Sequence, residues 1–172
     1  MITEKGIQTN DDNIHKLDVL VYGTGFKTNP FLLNLDIKGK NKISIHEAWK
    51  ESPKAYLGIT VHQFPNLFLM YGPNTNLGHN SIIIMAEAQA SYIAQCVKAL
   101  QDKQWKTMEV KAETMLSYHH SIQTRLKDMI WNTVEDSWYK SANGNSPNNF
   151  PGRTMEYMKL TRQVDFGVFD IE

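Results

Sequence analysis

Tyr71-Gly72-Pro73-Asn74-Thr75-Asn76-Leu77-Gly78-His79-Asn80-Ser81 is the stretch around which this chain is best understood. An apolar run, Leu67-Phe68-Leu69-Met70, enters it, and a long helical pattern leaves it near Ser81. The segment between them is polar, carries glycine and has no residues suited to filling a core. A strand that ends in such a loop, with a helix straight after it, directs the free N–H groups of the first helical turn out of the loop. The helix dipole adds partial positive charge at the same place. Asn80 or Ser81 can cap the helix. On these residues alone two readings stay open: a surface that holds an anion or a polar ring edge, and an ordinary strand–loop–helix connection.

The helix that follows is predicted from Ser81 to about Lys103. Ile82, Ala86, Ala90, Ile93, Val97 and Leu100 recur at spacings of four and three. Ile83, Met85, Ala94 and Cys96 broaden that stripe, which predicts burial on more than one side near the helix start. Glu87 and Gln89 are read as solvated or interhelical. A strand is expected within residues 105–110. A second helix is expected from Ala112 to about Trp131, with Met115, His119, Ile122, Leu126 and Met129 or Ile130 on its apolar face. Lys111, Glu113, Arg125, Lys127 and Asp128 fill its other face.

Upstream, Ile7, the turn residues Asn10-Asp11-Asp12-Asn13 and the stretch 17–22 read as a hairpin. Asp18-Val19-Leu20-Val21-Tyr22 is almost unbroken in its apolar character, which suits a strand covered on both faces in a parallel sheet. It exits through Gly23-Thr24-Gly25-Phe26. Gly23-x-Gly25-x-x-Thr28 fills part of a dinucleotide fingerprint, but Asn29-Pro30 arrives too soon for the helix that the fingerprint requires. Short strands are expected at 43–45, 58–61 and 67–71, and a turn of helix at 46–50. Residues 141–149 read as a loop, and the tail as a strand or covering arm.

Composition narrows the function classes. The 172 residues contain 18 Lys and Arg against 18 Asp and Glu, so net charge is zero and no basic stripe offers phosphate contacts. No nucleic-acid partner is expected. No apolar run reaches membrane-spanning length, so no membrane partner is expected either. The first residues lack a signal-peptide pattern, and a cytoplasmic protein is the default expectation. The single cysteine, Cys96, reads as a small core residue. No metal site is expected: His119 and His120 are adjacent and diverge on a helix, and no second cysteine or H-E-x-x-H pattern exists. His119 reads as a core histidine and His79 as a polar group at the loop–helix junction. No G-x-S-x-G and no phosphate-cradling G-x-x-x-x-G-K-[ST] occurs. Trp131, Trp138 and Tyr139 read as a small aromatic cluster or a ligand wall. From the residues themselves the chain is an α/β body with one ligand-facing loop and no visible catalytic set.

Three ordered motifs then resemble a known family. Asp18-Val19-Leu20-Val21-Tyr22-Gly23-Thr24-Gly25-Phe26 resembles the D-x-x-x-x-A-T-G-[FY] segment of flavin-dependent monooxygenases, with Gly23 where alanine is usual. Phe64-Pro65-Asn66-Leu67-Phe68 and the Gly72–Ser81 stretch resemble F-P-N-L-F … G-P-N-[TS]-x-L-G-H-x-S of Baeyer–Villiger monooxygenases. Ser137-Trp138-Tyr139-Lys140 with Asn149-Phe150-Pro151-Gly152 resembles their S-W-Y-K … P-G segment. The resemblance implies the C-terminal third of such an enzyme: a partial dinucleotide-binding (FAD-domain) sheet with two long helices and a C-terminal extension. It implies division at residues 1–110 and 111–172. It implies FAD and NADPH as cofactors of the intact enzyme, not expected to be retained by this chain alone, and a small-molecule ketone as its substrate, with one oxygen atom of O2 inserted. Gly23, Thr24, Gly25, Asn74, Thr75, Asn76, Leu77, Gly78 and His79 would lie at the cofactor. No catalytic residue is assigned. The family's two G-x-G-x-x-G fingerprints, its F-x-G-x-x-x-H-x-x-x-W/D signature and the arginine of its NADPH-binding half are not found, so the chain alone is expected to be inactive. Sister enzymes that oxygenate nitrogen or sulfur share the first motif, and a non-catalytic assembly module is the remaining alternative. Strand edges at 17–22 and 67–71 would invite a homo-oligomer.

Overall fold

The structure, a computed structural model, describes residues 1–24, 31–130, 133, 140–141 and 143–172. Gly25, Thr28, Pro30, Trp131, Ser137, Trp138 and Tyr139 lie outside the described residues. The expected mixed α/β character holds, with two long helices and two small sheets. Strands β1 (Ile2–Thr3), β2 (Gly6–Gln8) and β3 (Ile14–Lys16) form one antiparallel sheet in that order. Helix α1 (Ile45–Ala48) is capped by Ser44, whose Oγ accepts from the His46 N–H at 3.3 Å. Helix α2 (Ile82–Asp102) is followed by β4 (Met108–Val110), α3 (Ala112–Lys127), α4 (Thr154–Leu160) and β5 (Phe169–Ile171). β4 and β5 pair antiparallel, Glu109 opposite Asp170. The one parallel pairing among the described residues is an isolated bridge, Asn76 with Asn149.

Several expectations are corrected. The hairpin forms, but its second strand is Ile14–Lys16; residues 17–22 belong to no sheet. Val19 is 75% exposed, Val21 84% and Tyr22 69%, because no described strand lies beside them to cover either face. Residues 67–71 are not a strand. Phe68 makes a single bridge with Thr60, and the Leu69 N–H donates to the Ile59 carbonyl at 2.8 Å, so this stretch is not a free edge. Ser44 and Thr60 make only isolated bridges, so 43–45 and 58–61 are not strands either. The tail forms α4 as well as the terminal strand β5.

Helix α2 has the expected limits but a different inward face. Ser81 caps it, its Oγ accepting from the Ile83 N–H at 3.2 Å. Met85, Gln89, Tyr92 and Cys96 are its buried residues, whereas Ile82, Ile83, Ala90 and Val97 are exposed. A polar residue belongs to the inward stripe because Gln89 has partners there. Its Oε1 accepts from the Tyr71 N–H at 2.9 Å, and its Nε2 donates to the Tyr157 hydroxyl at 3.0 Å. Burial pushes the Cys96 thiol up to about 12, which keeps it a neutral core group. Met115, Ile122 and Leu126 are buried on α3 as the periodicity predicts. Burial, then Lys54 and His120, holds the half-buried His119 below the ordinary histidine value.

The larger apolar core gathers α1, residues 55–69, Tyr92 and Cys96 of α2, β4 and Phe169. Buried Glu109 ties its edge together. Its Oε1 accepts from the Gln63 N–H at 2.7 Å and lies 3.0 Å from His62 Nδ1, and Lys40 pairs with Oε2. Burial raises this carboxyl, but Lys40, the Gln63 N–H and His62 outweigh it and the net direction is down. A smaller core of Leu77, Met85, Ile122, Leu126, Phe150 and Tyr157 lies beneath the loop that precedes α2.

Candidate functional site

The Gly72–Ser81 loop is corrected first in its surroundings: it has a core of its own. Thr75 is fully buried, and its Oγ1 donates to the Gly72 carbonyl at 2.7 Å. Asn74 is 3% exposed and sits at φ 58, a left-handed conformation that asparagine tolerates better than most residues. Leu77 anchors the loop in the small core.

What holds the loop comes from far along the chain. The Asn74 N–H donates to the Pro147 carbonyl at 2.6 Å, and its Nδ2 donates to the carbonyls of Ser146 at 2.7 Å and Asn149 at 3.0 Å. The Asn76 N–H donates to the Asn148 carbonyl at 3.0 Å, and the Phe150 N–H returns to the Asn76 carbonyl at 2.8 Å. Asn76 Nδ2 donates to Asn149 Oδ1 at 2.7 Å, and Asn76 Oδ1 accepts from the Tyr71 hydroxyl at 2.7 Å. Gln123 of α3 locks the second segment: its Nε2 donates to the Ser146 carbonyl at 3.1 Å, and its Oε1 accepts from the Ser146 N–H at 3.0 Å. The loop and residues 146–150 therefore form one hydrogen-bonded layer on the helices. On the other side Gly58, at φ +68, lies so close that a Cβ there would come 2.1 Å from the Thr75 Cγ2. Only glycine combines that backbone conformation with that approach.

The predicted site residues divide by position. The side chains of Asn74, Thr75 and Asn76 are engaged inside the fold, and Leu77 is buried. Gly78, His79, Asn80, Ser81, Ile82 and Ile83 are exposed. The N–H groups of the first α2 turn that Ser81 leaves free open here, beside exposed apolar side chains. Gly23 and Thr24 are exposed, with open space around Gly23, and no hydrogen bond among the described residues joins them to the loop. Gly25 is outside the described residues. No group of three potential metal ligands occurs among the described residues. No helix among them is long and apolar enough to cross a membrane.

Gln123, Ser146 and Asn149 were missed by sequence reasoning. Gln123 carries no pattern, and Ser146 and Asn149 sit in a run of turn residues whose composition signals only a loop. The Asn149-Phe150-Pro151-Gly152 motif was the signal available for that segment. His79 stands at the rim of a cleft of about 460 Å³ that also takes in Arg125, Phe150, Gly152, Arg153 and Glu156.

No family model matches the chain. It is 36% identical over 173 residues to the FAD-binding monooxygenase ktnD of Aspergillus niger, an alignment covering 98% of this chain and 28% of that protein. It is 32% identical over 172 residues to a Baeyer–Villiger monooxygenase of Pseudomonas aeruginosa, covering 99% of this chain and 33% of that one. Among solved structures, cyclohexanone monooxygenase from Rhodococcus sp. Phi1 bound to NADP+ superposes with a TM-score of 0.78 at 27% identity, covering 98% of this chain and 33% of that one. The chain spans about a third of the length of the relatives it matches.

Proposed function

We propose, from the premise that this chain is homologous to about a third of the flavin-dependent monooxygenases of Baeyer–Villiger type, that it supplies the flavin-side loop and part of the substrate wall of such an enzyme. The premise rests on the two relatives above, which share at least 32% identity across almost all of this chain. The reading places the chain as the C-terminal part of the enzyme, with residues 1–110 completing an FAD domain and 111–172 an extension. In the whole enzyme FAD and NADPH together supply the reducing chemistry that activates O2, and one oxygen atom enters a small-molecule ketone.

The residues present fit a flat ring with a polar edge. The observation that carries the reading is the exposed start of α2, held at the end of a loop whose own side chains are already satisfied. Backbone N–H groups from Gly78 into the first turn of α2 can meet a ring carbonyl or ring nitrogen, with the helix dipole favouring negative charge. Ile82 and Ile83 offer apolar surface to the ring body. The side chains of Asn74, Thr75 and Asn76 hold the loop in place through their own hydrogen bonds. Gly78 can let a ring approach the backbone closely, since it carries no Cβ.

An absorbance spectrum of the purified chain with and without added FAD tests this. Against the expectation that the chain alone does not retain FAD, the loop surface predicts a perturbed flavin band that saturates with added chain. A flavin spectrum identical to that of free FAD at every chain concentration would sink the reading.

A second reading, an assembly module that joins a separate FAD-binding chain or a second copy of itself, is favoured by one observation. Val19, Val21 and Tyr22 are exposed although their composition is that of a covered strand. Light scattering checks the second copy: a strict monomer at all concentrations contradicts self-association through 17–22.

A further inference from the structure

The cleft at the rim of the loop has a charge pattern that the proposed function leaves unused. Its volume of about 460 Å³ is in the range of small-molecule sites. The buried Phe150 ring and Pro151 form its floor, and Met129, just beyond the end of α3, adds an apolar wall. Arg125 and Glu156 line it together as a two-pronged pair, Nη1 to Oε1 at 2.6 Å and Nη2 to Oε2 at 3.0 Å. The hydrogen bond from Arg125 holds the Glu156 carboxyl below the usual carboxylate range, so both groups stay charged and cancel. The Arg125 guanidinium also lies 5.9 Å from the Phe150 ring centre.

Two polar groups on the rim are left over. Arg153 and His79 both line the cleft and are exposed; neither makes a side-chain hydrogen bond or ion pair among the described residues. The charge not cancelled in the cleft is therefore positive. Gly152 keeps the cleft open. A Cβ there would come 2.3 Å from Glu156 Oε2, 2.7 Å from the Phe150 ring and 2.9 Å from Arg125 Nη2. The ion pair thus sets the wall, and the unpaired guanidinium beside an apolar floor is what remains for a ligand.

We infer that this cleft binds a small organic carboxylate, its apolar body on Phe150 and Met129 and its carboxylate on Arg153 with His79 as a second donor. A planar guanidinium matches a carboxylate with two parallel N–H donors, which favours this group over a neutral carbonyl. That the bound molecule is a substrate, a keto acid in place of a neutral ketone, rests on the proposed function; the binding itself does not.

The test is a titration of the full chain, followed by amide NMR shifts at His79, Gly152 and Arg153, with four probes: 4-acetylbenzoate, benzoate, acetophenone and inorganic phosphate. Saturable shifts with the two carboxylates, and at least tenfold weaker responses to acetophenone and phosphate, are expected. Arg153→Gln, an exposed change that leaves the fold intact, should weaken carboxylate binding about tenfold. Arg153→Lys should recover part of it, and His79→Gln should cost less than Arg153→Gln. Equal binding of acetophenone, equal binding of inorganic phosphate, or an Arg153→Gln titration that matches the unaltered chain overturns the inference. A parallel FAD titration separates the two ideas. Carboxylate binding without flavin binding removes the keto-acid role and keeps the site, whereas flavin binding without carboxylate binding does the reverse.

Discussion

Asn74 and Val19 lie in regions at opposite extremes of burial. Around Asn74 a polar loop is enclosed, with its side-chain amide donating to two carbonyls and its backbone N–H to a third. Around Val19 an apolar stretch stands in solvent, with Val21 and Tyr22 exposed beside it. Burial here follows the supply of partners more than polarity. Residues 146–150 and Gln123 bring a donor or acceptor to almost every polar group of the loop, so enclosing it leaves few groups unsatisfied. No described strand pairs with 17–22; only Leu17 to Leu20 border the first hairpin, and Val19, Val21 and Tyr22 stay largely in solvent. One region is enclosed by partners from this chain, and the other leaves Val19, Val21 and Tyr22 to solvent.

The contrast can be broken most forcefully at Gly58. Gly58→Ala should lower unfolding stability by about 3 kcal/mol in a urea titration, because the new Cβ strikes Thr75 and the backbone sits at positive φ. A loss under about 1 kcal/mol would mean that the loop yields easily. Next comes Asn74→Ala, expected to cost about 2 kcal/mol by the same measurement, since it takes the side-chain donor from the buried Asn149 carbonyl and leaves the Ser146 carbonyl with Gln123 alone.

The pair that flanks the layer gives a smaller, pH-dependent effect. Arg125 holds the Glu156 carboxyl below its ordinary value of 4.5, so the pair adds stability above that pH, and the addition disappears as pH falls through the folded-state value. Glu156→Gln should therefore lower stability by about 1 kcal/mol at pH 7 and flatten part of the acid limb of the pH–stability curve. An unchanged acid limb would remove the pair from the account. Glu109, also held low, contributes to the same limb with the same sign and stays in the variant.

The smallest effect belongs to the exposed stretch. Val21→Ser should move stability by no more than about 0.5 kcal/mol. A cost near that of Asn74→Ala would show that 17–22 is covered in solution, by a second copy or another chain.

These regions also show where the sequence could be read. Helix α2 was legible because its apolar period, its Ser81 cap and its length agree with one another. Its inward face was not, because Gln89 looks like a solvent residue until Tyr71 and Tyr157 are placed beside it. The loop at Asn74 was legible as a landmark, by its turn residues and its position before a helix. Its burial was hidden, because its partners lie more than 70 residues away in a segment with no periodicity. The stretch 17–22 misled for a related reason: a continuous apolar run reports an inclination to be covered, and coverage depends on what stands next to it. Arg125 was read as one more charge on the outer face of α3, although Glu156 and Phe150 make it the wall of a cleft.

Amide hydrogen exchange, read residue by residue on the purified chain, tests the central claim most directly: the polar loop is the closed part of this molecule and the apolar stretch is the open part. The account predicts strong protection at the Asn74, Asn76 and Phe150 amides, which donate to Pro147, Asn148 and Asn76, and near-free exchange at Val19 and Val21. Free exchange at Asn74 and Asn76 with protection at Val19 and Val21 would contradict it.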